Sequence, residues 1–301
     1  MKTRLYDLTV RETVDYLNEI GDSENARSIS ELIAESPSIA NARISDLDES
    51  PRLRRARWRG TEHTFGYLDT LNDDSGRIVY AGTLDPDPRL IGRKVNLLLG
   101  GLFTMNYPGW GRHNVMMHFN VNHAVSEGSN DYQSIQFQQK FKSKENESAG
   151  DMGNFIFIGV TVPPHGLEFE VKTINVSNDL DEAALKVLEG DVVRKGLDIL
   201  NATTESLALV TSLGESLLNL ILTRNRNKVV QEFTLGLSTR EGNDPVAKLR
   251  TGTYVAAQVR RDLLDWKDWM YDSGKGIITM KQDPDQRFPY NHILFSVLSV
   301  E

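Results

Sequence analysis

Three of the six histidines, His113, His118 and His123, recur at intervals of five, a spacing to be weighed as a metal-ligand set. The flanking pattern reads as a β-strand, in which residues five apart point to opposite faces, so His118 faces away from the other two. His113 and His123 share a face but sit ~33 Å apart along an unbent strand. The expectation is three polar positions on an alternating strand rather than a metal centre.

Carboxylates offer a second chemistry. Asp73-Asp74, Asp85-Pro86-Asp87, Asp179-Leu180-Asp181 and Asp283-Pro284-Asp285 each fall beside an expected strand or helix end. Calcium takes about six to eight hard oxygens, and the end loops of a sandwich can converge several carboxylates on one ion. Asp73, Asp74, Asp85 and Asp87 are the candidate ligands, and Ca²⁺ is the one cofactor the sequence suggests. The competing reading is plain turn chemistry: Asp bonds its own backbone in turns, and Asp-Pro starts them routinely.

Covalent and nucleotide chemistry leave no signature. The chain has no cysteine, so disulfides, thiolate nucleophiles, Cys-ligated zinc and iron–sulfur clusters are excluded. It contains no G-x-x-x-x-G-K-[ST], no G-x-G-x-x-G, no G-x-S-x-G and no H-E-x-x-H. A hydrolase whose site assembles from distant positions survives as the third-ranked reading, because triads and carboxylate pairs need no local motif.

Two further sets of residues bear on binding. In a helix expected over Thr204–Thr223, Leu207, Val210, Leu213, Leu217, Leu220 and Ile221 line one face, and Arg224, Arg226 and Lys228 follow. Apart from Glu205 and Glu215 the helix carries almost no charge, and Ser206, Thr211, Ser212, Gly214, Ser216 and Asn219 are small, uncharged residues. Such a helix packs over a sheet, forms an oligomer interface, or enters a membrane interface beside anionic headgroups. Aromatic rings form the other set. Tyr107 and Trp110 sit in a glycine-rich loop, and Trp266 and Trp269 lie three apart; rings on loops stack on ligands or close the end of a core. A run of Arg52, Arg54, Arg55, Arg57 and Arg59 around Trp58 follows a faint helix-turn-helix spacing. Acids flank it, which makes a docking or adaptor module the better reading than a DNA reader.

The elements that must position these residues follow from periodicity. Thr9 and Glu12 form a capping box ahead of Val10, Val14, Leu17 and Ile20 at helical spacing, with Gly21 placed to end the helix. A second helix runs to Ser36-Pro37, and a third is expected from Ser38 to about Leu47. From Thr61 the period changes to two. Strands are expected at His63–Leu68, Arg77–Thr83, Arg93–Met105, Asn114–His123, Ser134–Ser143, Asn154–Val162 and Leu167–Val176. Four more follow at Val229–Leu237, Thr253–Val259, Gly276–Lys281 and His292–Val300. A helical pair, Asp181–Leu200 and Thr204–Thr223, interrupts them.

The fold class expected is therefore α+β, mainly β: an antiparallel β-sandwich or partly open barrel. A helical module occupies residues 1–60, and the sandwich spans 61–301 with a helical insertion at about 180–224. The 301 residues are ordinary in hydrophobic and charged content, at 39% and 25%, so a sizeable core can form. A net charge of −8 and a pI near 5.4 disfavour nucleic acid and anionic lipid at long range. The Met1–Asp7 stretch has no apolar run, which leads to the expectation of a cytoplasmic protein. The function expected is a non-enzymatic effector or interaction protein acting through a protein partner or self-association. A membrane-active protein using the 204–223 helix ranks second. Nucleic acid is not expected, and no small-molecule substrate is identifiable from the sequence.

Overall fold

The computed structural model describes residues 2–47, 53, 56–109, 111–124, 132–144, 147–149, 153–176, 197–202, 204–223, 226–242 and 246–300. The N-terminal segment begins with helices α1 (Val10–Glu19) and α2 (Ser23–Glu35). Thr9 Oγ1 accepts from the Glu12 amide at 3.2 Å, and Glu12 Oε2 accepts from the Thr9 amide at 2.7 Å. These two bonds satisfy donors that the first helical turn leaves open. Hydrogen bonding from Lys2 and from Thr9 holds the Glu12 carboxyl down to about 2. At the other end Gly21 adopts φ +81°, which ends α1 and brings Asp22 into place to cap α2 through the Asn25 amide.

The third helix expected over Ser38–Leu47 does not form. Short 3-10 turns, Pro37–Asn41 and Ile44–Asp46, replace it. Between them the chain pairs with the start of α1: the Val10 amide donates to Ala42 O and the Ile44 amide to Leu8 O, both at 2.9 Å. Backbone engaged in that bridge is not available for helical bonds, and the would-be recognition helix goes with it. The buried apolar residues of this segment, including Leu5, Val10, Leu17, Ile29 and Trp58, belong to the same core as the sandwich.

Fourteen strands follow in the described residues. They are β1 (Thr64–Leu68), β2 (Val79–Tyr80), β3 (Lys94–Phe103), β4 (Arg112–Ala124), β5 (Tyr132–Lys144), β6 (Ser148–Ala149) and β7 (Asn154–Thr161). The rest are β8 (Gly166–Val176), β9 (Leu197–Asp198), β10 (Lys228–Ser238), β11 (Gly252–Ala257), β12 (Trp269–Asp272), β13 (Ile277–Met280) and β14 (His292–Ser299), with helix α3 (Thr204–Leu222) between β9 and β10. The larger sheet runs β2-β1-β11-β14-β3-β7-β9, with β6 on β3. The smaller runs β10-β8-β4-β5, and β12-β13 form a hairpin. Pairing is antiparallel except for the short β7–β9 contact. The molecule is a mainly β, antiparallel, sandwich-like α+β fold.

The alternation that marks β5 in the sequence sorts its side chains: Ile135, Phe137 and Phe141 turn into the core against Leu97, Phe157 and Phe295 of the facing sheet. Of the helix expected over Asp181–Leu200, residues 181–196 lie outside those described, leaving only its tail. There Leu197 and Asp198 form β9, pairing with Phe157 and Ile158. Leu197 is thus buried through a strand contact, not a helical stripe.

Each sheet is covered on its outer face. Over the larger sheet, Trp266, Trp269, Ile278 and Phe288 form a second apolar cluster with Phe103, Val255 and Leu294. Over the smaller sheet, α3 makes a third with Met116, Ile174, Val176 and Val229. No helix among the described residues is long and apolar enough to cross a membrane.

Candidate functional site

The most chemically endowed surface is the outer face of the smaller sheet, where cross-strand register assembles a row of polar side chains. Glu232 of β10 pairs with Lys172 of β8, Lys172 with His118 of β4, and His118 with Gln138 of β5. The next row is Thr234, Glu170, Asn120 and Gln136. On a pleated sheet, directly opposed residues share a face, so four distant segments converge here.

Ion pairs organise the β8–β10 end. Lys172 Nζ lies 2.5 Å from Glu170 and 3.4 Å from Glu232. Glu232 also accepts from Tyr6 at 2.9 Å and pairs with Arg4 at 2.5 Å. Burial pushes the Glu232 carboxyl up, but the bonds from Arg4 and Tyr6 and the charge of Lys172 outweigh it and hold the group below its ordinary range. Glu170 is likewise lowered: burial opposes ionisation and Lys172 overcomes it. Both acids are therefore fixed as anions and neither is poised to donate a proton near neutrality.

At the β4–β5 end the Gln138 amide donates to His118 Nδ1 at 2.9 Å. Burial, with the Lys172 charge adding to it, lowers this imidazole to about 4. His118 is 2% exposed. A neutral base so placed is a structural hydrogen-bond acceptor; no substrate reaches it while α3 is docked.

Helix α3 supplies that cover. Gly214 lies against Gln138 so closely that a Cβ there would stand 2.5 Å from the amide. Gln136 donates to Glu215 at 3.0 Å. Ile221 is fully buried, with Leu217, Leu218 and Leu222 packed beside it, and Leu207 joins the main core. Leu220 instead is 47% exposed, among exposed Ser212, Ser216, Asn219 and Thr223. The side chains of Val210 and Leu213 and all of Arg224 lie outside the described residues. Arg226 reaches back to α1, donating to Glu19 at 2.8 Å.

The other sequence candidates are placed elsewhere. His113 is buried on the opposite face of β4 from His118, edge-on to Tyr107 at 5.5 Å between centroids, and burial lowers its affinity for a proton. The side chain of His123 lies outside the described residues. Tyr107, Trp266 and Trp269 are buried, at 2%, 4% and 6% exposure, so these rings close the core instead of lining an open loop. Trp110 lies outside the described residues. Among the aspartates, Asp73 accepts from the Ser75 amide at 2.8 Å, and Asp87 from Arg89 at 3.1 Å. Asp87 also forms an ion pair with the Arg89 side chain at 2.8 Å. Among the described residues no three histidine or carboxylate groups gather where they could hold a metal ion.

Two features were not foreseen. His292 Nδ1 donates to Tyr290 O at 2.8 Å, and its ring stacks on Phe103 at 4.3 Å. It borders a cavity of about 30 Å³ lined also by Met105, Ile278 and Phe288, room for a single water molecule. At the seam with the N-terminal segment, Gln258 Nε2 is shared among Trp58 O, Gly60 O and Val230 O at 2.8–3.1 Å. Gln258 in turn accepts from Asn291 at 2.9 Å.

Compared with protein-family models, curated proteins and solved structures, the chain matches none.

Proposed function

We propose that this chain is a non-enzymatic interaction protein that works by binding or self-association, with α3 and the sheet face beneath it as the working surface. The observation that carries this reading is the fate of the polar row on the smaller sheet. Glu232, Lys172 and Glu170 are tied up in ion pairs with one another, and His118 is buried at the end roofed by α3, so the acids are held as anions and the base is out of reach. Catalysis needs a group at its working pKa within reach of substrate; association needs only a surface. Among the described side chains of α3 the exposed ones are Ser212, Glu215, Ser216, Asn219 and Leu220, a composition more at home in a contact than in open water.

The test is sedimentation velocity of the full chain across a wide concentration range. The reading expects association that changes when Leu217 or Leu220 becomes Asp in protein that retains its fold. A chain monomeric at every concentration, with hydrolytic turnover lost in His118→Ala, would replace this reading with an enzymatic one.

A second reading keeps the membrane. The exposed Leu220 amid Ser216, Asn219 and Thr223 favours interfacial insertion of α3 over a spanning role. Co-sedimentation with anionic vesicles, abolished by Leu220→Asp, is its signature.

A further inference from the structure

We propose that β5 is a self-association edge guarded by α3, and that displacement of α3 lets two copies of the chain pair antiparallel through their β5 strands. This rests on the association reading above and adds to it the surface, the partner and the register.

The four ends of the two main sheets are not alike. The larger sheet ends in β2 and β9, each two residues long and too short to template another strand. The β10 end is covered by the chain itself. Its Val229 amide donates to Thr3 O at 2.9 Å, its Ser238 amide to Ala247 O at 2.8 Å, and Arg4 and Tyr6 hold Glu232 between them. The fourth end is β5, thirteen residues long, and among the described residues no strand pairs with its outer side.

Helix α3 stands at that border. Leu207 belongs to the core between the sheets and Ile221 to the cluster on the outer face, while Gly214 between them rests on Gln138 of β5. A helix with one end inside the sandwich and the other outside crosses the edge of the sheet, so a strand arriving along β5 meets it. Its seat is imperfect. Gln136 Oε1 and Thr211 Oγ1 are buried there without a hydrogen-bond partner, and a glycine occupies mid-helix. Both features weaken docking relative to the closely packed strands below.

The charges along β5 select a second copy and a register. Full antiparallel overlap sets Tyr132 opposite Lys144 of the second copy, Ser134 opposite Lys142, Gln136 opposite Lys140 and Gln138 opposite Gln138. On the other face Ile135 meets Phe141. Every lysine then faces an uncharged residue and apolar side chains stay on the core face. Sliding the pairing to centre on Lys140, or running the strands parallel in register, stacks lysine on lysine.

The experiment is sedimentation velocity on the full chain loosened at α3 in two independent ways, by Gly214→Leu and by Ile221→Asn, with circular dichroism to show that the sandwich persists. The expected result is a shift toward dimer relative to the parent chain in both. Adding Ser134→Lys, opposite Lys142 of the second copy, returns the monomer, and Ser134→Lys with Lys142→Glu restores the dimer. Folded, loosened variants that remain monomeric would overturn the proposal. So would association indifferent to Ser134→Lys, which would leave the association reading standing and move the surface elsewhere.

Discussion

Gln138 donates to His118 Nδ1 across the β4–β5 pair at 2.9 Å, and Gly214 of α3 rests on Gln138. Through Gln138 this contact joins the polar row of the smaller sheet to its helical cover.

The first prediction concerns acid. His118 and His292 are buried and His63 is half-buried, and each is lowered by desolvation to about 4. His118 also faces Lys172, which lowers it further, and Glu170, which opposes the shift. Above pH ~6.5 the imidazoles are neutral folded or unfolded, and stability is independent of them. As pH falls from ~6.5 toward 4 the unfolded chain takes up protons that the folded chain refuses, so stability falls throughout that window. The penalty at pH 5 is roughly 1–2 kcal/mol for each histidine. Urea denaturation at pH 7.5 and pH 5 reads it, and His118→Gln should flatten part of the slope. Stability equal at the two pH values would show that these imidazoles are solvated.

Removal of the Gln258 side chain should be costly. Gln258→Ala strips a shared donor from Trp58 O, Gly60 O and Val230 O and an acceptor from Asn291. Leaving several buried polar groups unpaired costs ~2–4 kcal/mol. Chemical denaturation measures the loss, and faster proteolysis ahead of β1 would locate it at the seam with the N-terminal segment.

Gly166 tolerates no side chain. It turns the chain from β7 into β8 with φ +103°, and a Cβ there would stand 1.9 Å from Leu237 O in β10. Gly166→Ala combines a left-handed backbone with a backbone clash and should lose ~3 kcal/mol or more. A thermal midpoint within a degree or two of the parent would contradict the β8–β10 register.

Thr211→Val should run the other way. The hydroxyl of Thr211 is buried without a partner, and valine keeps the shape while deleting it. Stability should rise by ~0.5–1.5 kcal/mol. A loss instead would mean that the hydroxyl is bonded in solution and the α3 seat is better made than proposed.

Much of the architecture was legible because period-two alternation and local capping are written in the chain. Thr9 and Glu12 mark the start of α1, and Ile135, Phe137 and Phe141 mark β5. The opposed faces of His113 and His118 followed from strand geometry alone. What failed depends on distant partners. Residues 42–44 pair with 8–10, which no local propensity announces, and so Ser38–Leu47 was read as a helix. Trp266 and Trp269 read as rings on a loop, yet pairing with β13 places Trp269 in a strand. The polar row was illegible for the same reason: Glu232, Lys172, His118 and Gln138 are adjacent only through register across three strand pairs.

Hydrogen–deuterium exchange of the wild-type chain under native conditions tests the central claim most directly, that α3 is a cover able to leave a sandwich that stays folded. The account predicts that amides of α3 exchange through an opening well below global unfolding, with β5 losing protection in step, while β4, β8 and β14 exchange only on complete unfolding. Exchange of α3 as slow as that of β4 and β8 would contradict it and make the helix a permanent part of the core.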